Sequence, residues 1–259
     1  MKRDRWSDHA VLLLGAVVLV GPLIVLCALS ATPGGLGGAG SPGLSGLSQN
    51  IETLNRRVSD GPDLWAMTGA SLQVALSVAM VTTLVGFLAA FAMTQFSVQW
   101  VFGLTLLTLY FPVEARMLPT FDVANTLGLI DTLPGLVLPI LPLAVATFYL
   151  RQHFLTLPPE LAEAAQIDGA GPFKFMVDFV LPLSLVPVAT VFVIAFILGW
   201  NQYLWPLMIS VNDVRYPLMR GLNLVGTGSG ASMVIAVTSL GPPLVLMVLL
   251  VWLRKRQPI

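Results

Sequence analysis

Charge is scarce in this sequence of 259 residues: Asp, Glu, Lys and Arg make up only 10% of it, whereas 56% of the residues are hydrophobic. A soluble domain carries roughly 25% charged residues. So little charge cannot cover the surface of a water-soluble globule, which excludes an ordinary cytosolic enzyme. The shortage of polar residues equally excludes intrinsic disorder. Thirteen basic residues balance thirteen acidic ones, and no basic excess points to nucleic acid. The single cysteine, Cys27, has no partner for an internal disulfide, and no thiolate set for a metal exists.

Chemistry-bearing motifs are missing as well. Lys2, Lys174 and Lys255 are the only lysines, and none follows a glycine, so a phosphate-binding P-loop cannot be written. Neither a G-x-S-x-G elbow nor an H-E-x-x-H zinc helix is present. The two histidines, His9 and His153, lie far apart near expected membrane boundaries, where interfacial side chains explain them better than a catalytic or metal pair. No metal, no bound cofactor and no enzymatic activity of the chain itself are expected.

What the sequence does contain is a series of long apolar runs, with a mean hydropathy of +0.85. A helix needs about 20 mostly apolar residues to cross the hydrocarbon core. Six stretches qualify: 10–29, 70–93, 101–118, 133–150, 183–209 and 233–253. Backbone groups in lipid must be satisfied internally, so these are helices. The expected fold is an all-α integral membrane protein with six transmembrane helices. The first run follows a basic start (Lys2, Arg3, Arg5) but is longer than a signal-peptide core, and is read as a retained helix.

The expected organisation is a cytoplasmic N-terminus (1–9), a first transmembrane helix (10–30), an extracytoplasmic Gly-rich loop (31–69), a core of five helices (70–253) and a basic cytoplasmic tail (254–259). With the N-terminus inside, Lys2, Arg3, Arg5, Arg151, Lys174, Arg254, Lys255 and Arg256 lie on the cytoplasmic side. Arg56, Arg57, Arg116, Arg215 and Arg220 then lie outside, a mild positive-inside bias with both termini cytoplasmic. The stretch 31–48, rich in Gly, Ser and Pro, reads as a flexible outer linker.

The cytoplasmic loop 151–182 is patterned. Its segment from Thr156 to Gly169 reads TLPPELAEAAQIDG. Pro158 and Pro159 suit a first helical turn, and Glu160 and Glu163 suit its positive dipole end. Leu161, Ala164 and Ala165 share one face at i, i+3, i+4 spacing. Gly169 is placed to stop the helix in the left-handed region, and Gly171-Pro172 leads into a second amphipathic piece, 173–180, before Leu181-Pro182. Such a short helix outside the bilayer suits docking into a groove of a soluble protein; pattern alone equally allows a loop lying on headgroups.

Glu163-Ala164-Ala165, three residues, Gly169, nine residues, Phe179, one residue and Leu181-Pro182 together resemble the EAA loop of inner-membrane permeases of ABC importers. The resemblance runs from the second span to the C-terminus and includes the MalG-like carbohydrate-importer permeases. The segments FPVEARMLPT (111–120) and GWNQYLWPL (199–207) resemble the permeases of sn-glycerol-3-phosphate importers in particular. The Gly-rich outer loop and the turn TQFSVQW (94–100), which lacks basic residues, depart from the family pattern.

The resemblance implies a type I importer permease (MetI-like) fold in a bacterial inner membrane. It implies a heterodimer with a second, UgpA-like permease and two copies of a UgpC- or MalK-like ATPase that binds ATP and Mg. An extracytoplasmic UgpB-like binding protein would deliver sn-glycerol-3-phosphate or a glycerophosphodiester such as glycerophosphocholine. A sugar or oligosaccharide is the alternative cargo, and a standalone secondary transporter the alternative class. On this resemblance Glu160, Glu163, Ala164, Ala165, Asp168, Gly169, Leu181 and Pro182 couple the chain to the ATPase. The polar cluster Asn201, Gln202 and Tyr203, flanked by Trp200 and Trp205, is either part of the substrate path or an interfacial aromatic belt. Glu114 and Arg116, at the outer end of the third span, either pair with each other or the sister permease, or face the binding protein.

Overall fold

Proline decides where several of the apolar runs break. A residue before proline is pushed out of the helical region into extended backbone. Phe111 (ψ 114°) before Pro112 and Leu141 (ψ 118°) before Pro142 both obey this rule. In the computed structural model, which describes residues 5–57, 62–96, 98–212, 215–226 and 228–256, these positions split two expected spans into bent pairs. Helices α4 (Gln99–Leu107) and α5 (Val113–Thr126) belong to a pair bent by 102°. Helices α6 (Leu133–Val137) and α7 (Leu143–Phe154) belong to a second, bent by 53°.

Among the described residues, three helices are unbroken and long enough to cross a membrane: α1 (Arg5–Ser30), α3 (Leu64–Gln95) and α14 (Gly230–Arg256). Counting each bent pair as one span gives six, the number read from hydropathy. The third bent pair corrects the expected fifth span. Apolar residues run on through 183–209, but α11 (Leu185–Trp200) ends at Trp200, and α12 (Leu204–Ile209) is a separate short helix. The structure pairs α11 instead with the preceding segment 172–183, at a bend of 78°. Asn201 to Tyr203 therefore lie in a break between helices rather than inside a span.

The chain divides into two compact units, Met1–Thr68 with Leu218–Gly241 and Gly69–Pro217 with Pro242–Ile259. Lys2, Arg3 and the last three residues of the basic tail lie outside the described residues. In the first unit, α1 exposes Val11, Leu12, Leu13, Leu14, Val17, Val18 and Leu19. Among the described residues nothing buries this stretch, and a helix segment so apolar and uncovered is built for lipid or a partner helix.

The Gly-rich stretch of this unit is not a free linker. It carries α2 (Leu44–Arg57), whose buried Asn50 uses its whole amide. Nδ2 donates to the carbonyls of Ser30 (2.9 Å) and Thr32 (2.7 Å), and Oδ1 accepts from Gly34 N–H (3.1 Å). Gly230 lies so close that a Cβ there would stand 2.1 Å from Asn50 Oδ1. The small residues of this stretch permit close approach rather than freedom.

Two apolar cores form among the described residues of the second unit. One joins Phe87, Ala90 and Phe91 of α3 with Leu150 and Phe154 of α7, Met176, Val180 and Val191. The other joins Val74 and Val78 of α3 with Ala124, Leu136, Val137, Trp205 and Ile209. Between lipid-embedded helices there is little hydrophobic driving force, so close packing over small residues carries the association. Gly199 of α11 shows it: a Cβ there would come within 3.0 Å of Val78 and 3.2 Å of Ala75.

Candidate functional site: the loop after Phe154 and the break after Trp200

The loop after α7 folds as the pattern predicts. Helix α8 spans Pro159–Ile167, with Pro159 at its first position and Glu160 in its first turn. It stops because Gly169 takes φ 72°, a conformation in which any L side chain is strained. Gly169 N–H bonds Gln166 O (3.0 Å) and Ala170 N–H bonds Ala165 O (2.8 Å), which satisfies the last carbonyls. A Cβ on Gly169 would meet nothing within 4 Å.

The exposed face differs from the expected one. Ala165 is buried, while Glu160, Glu163, Ala164, Ile167 and Asp168 are exposed. The stripe offered outward is therefore Glu160, Glu163, Ala164 and Ile167, not Leu161, Ala164 and Ala165. Its apolar element was missed: Ile167 is 86% exposed, and Phe173, just past the turn, is 74% exposed. Their position on either side of Gly169 was the available signal. Ala162, Ala165, Ala170, Pro172 and Phe175 line a small cleft with Gln95 at the end of α3, which seats the back of α8.

After α9 (Pro172–Phe175), residues Met176–Val180 form one π-helical turn, and α10 (Leu181–Leu183) leads into the elbow at Ser184. Pro187 falls in the first turn of α11, where a missing N–H removes no intrahelical bond. Leu181 is half-buried and Pro182 exposed. Beneath the loop, His153 Nε2 lies 3.1 Å from Ser184 Oγ, and Ser184 is fully buried.

At the break after α11, Asn201 is exposed and Gln202 and Tyr203 half-buried. Gln202 Nε2 donates to Leu198 O at 3.2 Å. Both flanking indoles are buried. Trp200 stacks on Phe196, with ring centroids 5.8 Å apart and planes 14° from parallel. Trp205 Nε1 donates to Gly135 O at 2.9 Å. In this arrangement neither indole presents a free face to a cargo, because each is taken up by packing within the chain.

Glu114 and Arg116 are both exposed on α5. They form no ion pair with each other, unlike Arg56 and Glu52 on α2. Arg116 rims a shallow cleft with Met117, Thr120, Pro139, Ile140 and Trp205, which brings two separately predicted residues to one place. Asp131 was not foreseen. It holds φ 57°, a conformation that Asp tolerates better than most residues, and its Oδ1 accepts the N–H groups of Val211 and Asn212. Thr82, fully buried in α3, lines a small cavity with Tyr149 and Ile194, and its hydroxyl has no partner among the described residues. No group of three or more His, Cys, Asp or Glu among the described residues could hold a metal ion.

A family model described as "Binding-protein-dependent transport system inner membrane component" matches residues 2–257. The sn-glycerol-3-phosphate transport system permease protein UgpE of Agrobacterium fabrum is 45% identical over 189 residues, covering 70% of this chain and 67% of that protein. The UgpE proteins of Rhizobium meliloti and Escherichia coli are 38% and 37% identical, covering 93% and 94% of this chain and 91% and 92% of their own. A solved bacterial ABC transporter involved in the import of the acidic polysaccharide alginate matches with a TM-score of 0.72 over 99% of both chains. At 22% identity that likeness bears on the fold alone.

Proposed function

The chain belongs to the family of binding-protein-dependent transport system inner membrane components, and from that premise we propose that the cargo it passes is sn-glycerol-3-phosphate or a glycerophosphodiester. Membership makes the chain a permease subunit of an ABC importer rather than an enzyme. It implies a second permease, an ATPase and a binding protein as partners. The proposed partners are those of a glycerol-3-phosphate importer: a UgpA-like permease, two UgpC-like ATPases and a UgpB-like binding protein. Both termini are proposed to be cytoplasmic, which puts α8 on the side of the ATPase.

The observation that carries the coupling role is the stripe Glu160, Glu163, Ala164 and Ile167, exposed on a short helix that Gly169 ends in the left-handed region. The dipole stabilises the charge of Glu160 in the first turn, and an exposed isoleucine supplies an apolar contact for a partner's cleft. ATP binding closes the ATPase pair, α8 moves with it, and the packed spans exchange one arrangement for another. Asn201, Gln202 and Tyr203 are proposed to line the path, where a hydroxyl-rich cargo finds amide partners; Arg116 is proposed to face the outer side.

The cargo is tested by reconstituting the four kinds of subunit and measuring ATP-driven uptake of labelled glycerol-3-phosphate, glycerophosphocholine and a disaccharide. Saturable uptake of either phosphate compound, with no uptake of the disaccharide, is expected. Uptake of the disaccharide alone overturns the assignment.

A further inference from the structure

We propose that the hydrogen bond between His153 and Ser184 clamps the base of the cytoplasmic loop and makes 154–183 a lever that passes force from α8 to α11. The proposal rests on the reading of α8 as the ATPase-facing helix. It concerns two residues that neither the EAA-type spacing nor the apolar pattern singles out.

The loop leaves the first core at the end of α7 and returns to it at the start of α11. His153 sits in the last turn of α7, where its carbonyl accepts both the N–H (2.9 Å) and the hydroxyl (2.7 Å) of Thr156, so the outgoing strand is anchored. Ser184 sits at the 78° elbow of the returning strand. Its N–H bonds Leu181 O (3.1 Å) and its carbonyl accepts from Val188 N–H (2.9 Å). Both backbone groups of Ser184 are thus spent within its own strand, and only the hydroxyl reaches across. It meets the half-buried His153 Nε2 at 3.1 Å, over 31 residues of sequence, from a fully buried position of its own. Phe154, Met176, Val180 and Val191 pack together beside the pair.

A loop pinned at entry and exit cannot absorb a push on its tip by spreading its base. The elbow is the weakest joint in the returning strand, because Pro182 lacks an N–H and a π-turn precedes it. Without the clamp, motion of α8 would be spent in flexing 176–184. With it, the displacement arrives at the N-terminus of α11, the helix that ends at the polar break after Trp200. His153 and Ser184 are positioning residues: they touch neither cargo nor nucleotide.

The test uses the complete transporter in proteoliposomes with binding protein and saturating cargo. His153→Ala, Ser184→Ala, the double variant and His153→Gln, whose amide can reach the position of Nε2, are compared with the parent. The readouts are cargo imported per ATP hydrolysed, ATPase rate and yield of assembled complex. Each alanine variant is expected to lower cargo per ATP by about fivefold while retaining ATPase rate and assembly. The double variant is expected to be no worse than either single, and His153→Gln to recover most of the ratio. Where His153→Ala lowers complex yield, Ser184→Ala carries the test, since it removes one buried oxygen and leaves the helix register intact.

An unchanged ratio in both alanine variants overturns the clamp, as do single defects that multiply in the double, or a His153→Gln protein as defective as His153→Ala. If the parent complex imports cargo at the same rate without ATP, the reading of α8 itself fails and the lever falls with it. That outcome is told apart by the parent's behaviour alone.

Discussion

Gly169 separates two physical reasons for a glycine. Its φ of 72° costs a side chain about 1–2 kcal/mol of backbone strain, whereas within the chain there is open space for a Cβ. If strain alone matters, Gly169→Asn should transport nearly as well as the parent, because Asn tolerates this region, and Gly169→Val should be worst. If the cleft of the ATPase also presses on this turn, Asn and Ala should both fall, by about tenfold or more, with assembly in the membrane intact. Uptake by the assembled complex decides between them. Normal uptake by Gly169→Val contradicts both reasons and with them the role of this turn.

Helix α2 makes its case at the level of the element. A helix in a Gly- and Ser-rich stretch has little reason to dock, yet Asn50 supplies three hydrogen bonds that tie it to the end of α1. Removing that amide leaves buried carbonyls and an N–H unpaired, at about 1–3 kcal/mol each. Asn50→Ala should therefore release α2. In detergent, protease should cut within 31–57 at least about tenfold faster than in the parent, and Asn50→Asp, which keeps the acceptor but loses both donors, should fall between. Equal cleavage of all three proteins would return the segment to a flexible linker. Trp205 shows the same logic among the apolar elements: its N–H found Gly135 O within the chain, so an indole near a polar break need not wait for a cargo.

For the molecule as a whole, hydropathy made the number of spans legible, since about 20 apolar residues have no other stable home. The bends were not legible from the prolines alone. Pro112 and Pro142 stand at bends, but Pro22, Pro119, Pro242 and Pro243 sit within helices, so composition does not say which proline breaks a span. The shift of the fifth span had the same origin: apolar residues continue through 183–209, and hydropathy is blind to the break at Asn201. The loop was read well because its signals are local. Prolines start α8, Glu160 sits in its first turn, and a glycine ends it. Ala165 turned inward because the back of α8 packs on Phe175 and on Gln95, the latter 70 residues earlier in the chain. His153 looked like a lone boundary histidine until the fold put Ser184 beside it.

The central claim is that force reaches this chain from outside, through α8. It is tested most directly by measuring cargo entry into vesicles that hold this chain alone, the two permeases, or the full complex with binding protein, each with and without ATP. Entry confined to the full complex with ATP is the predicted result. Entry at a comparable rate through the chain alone, or through the permease pair without ATPase, would contradict it.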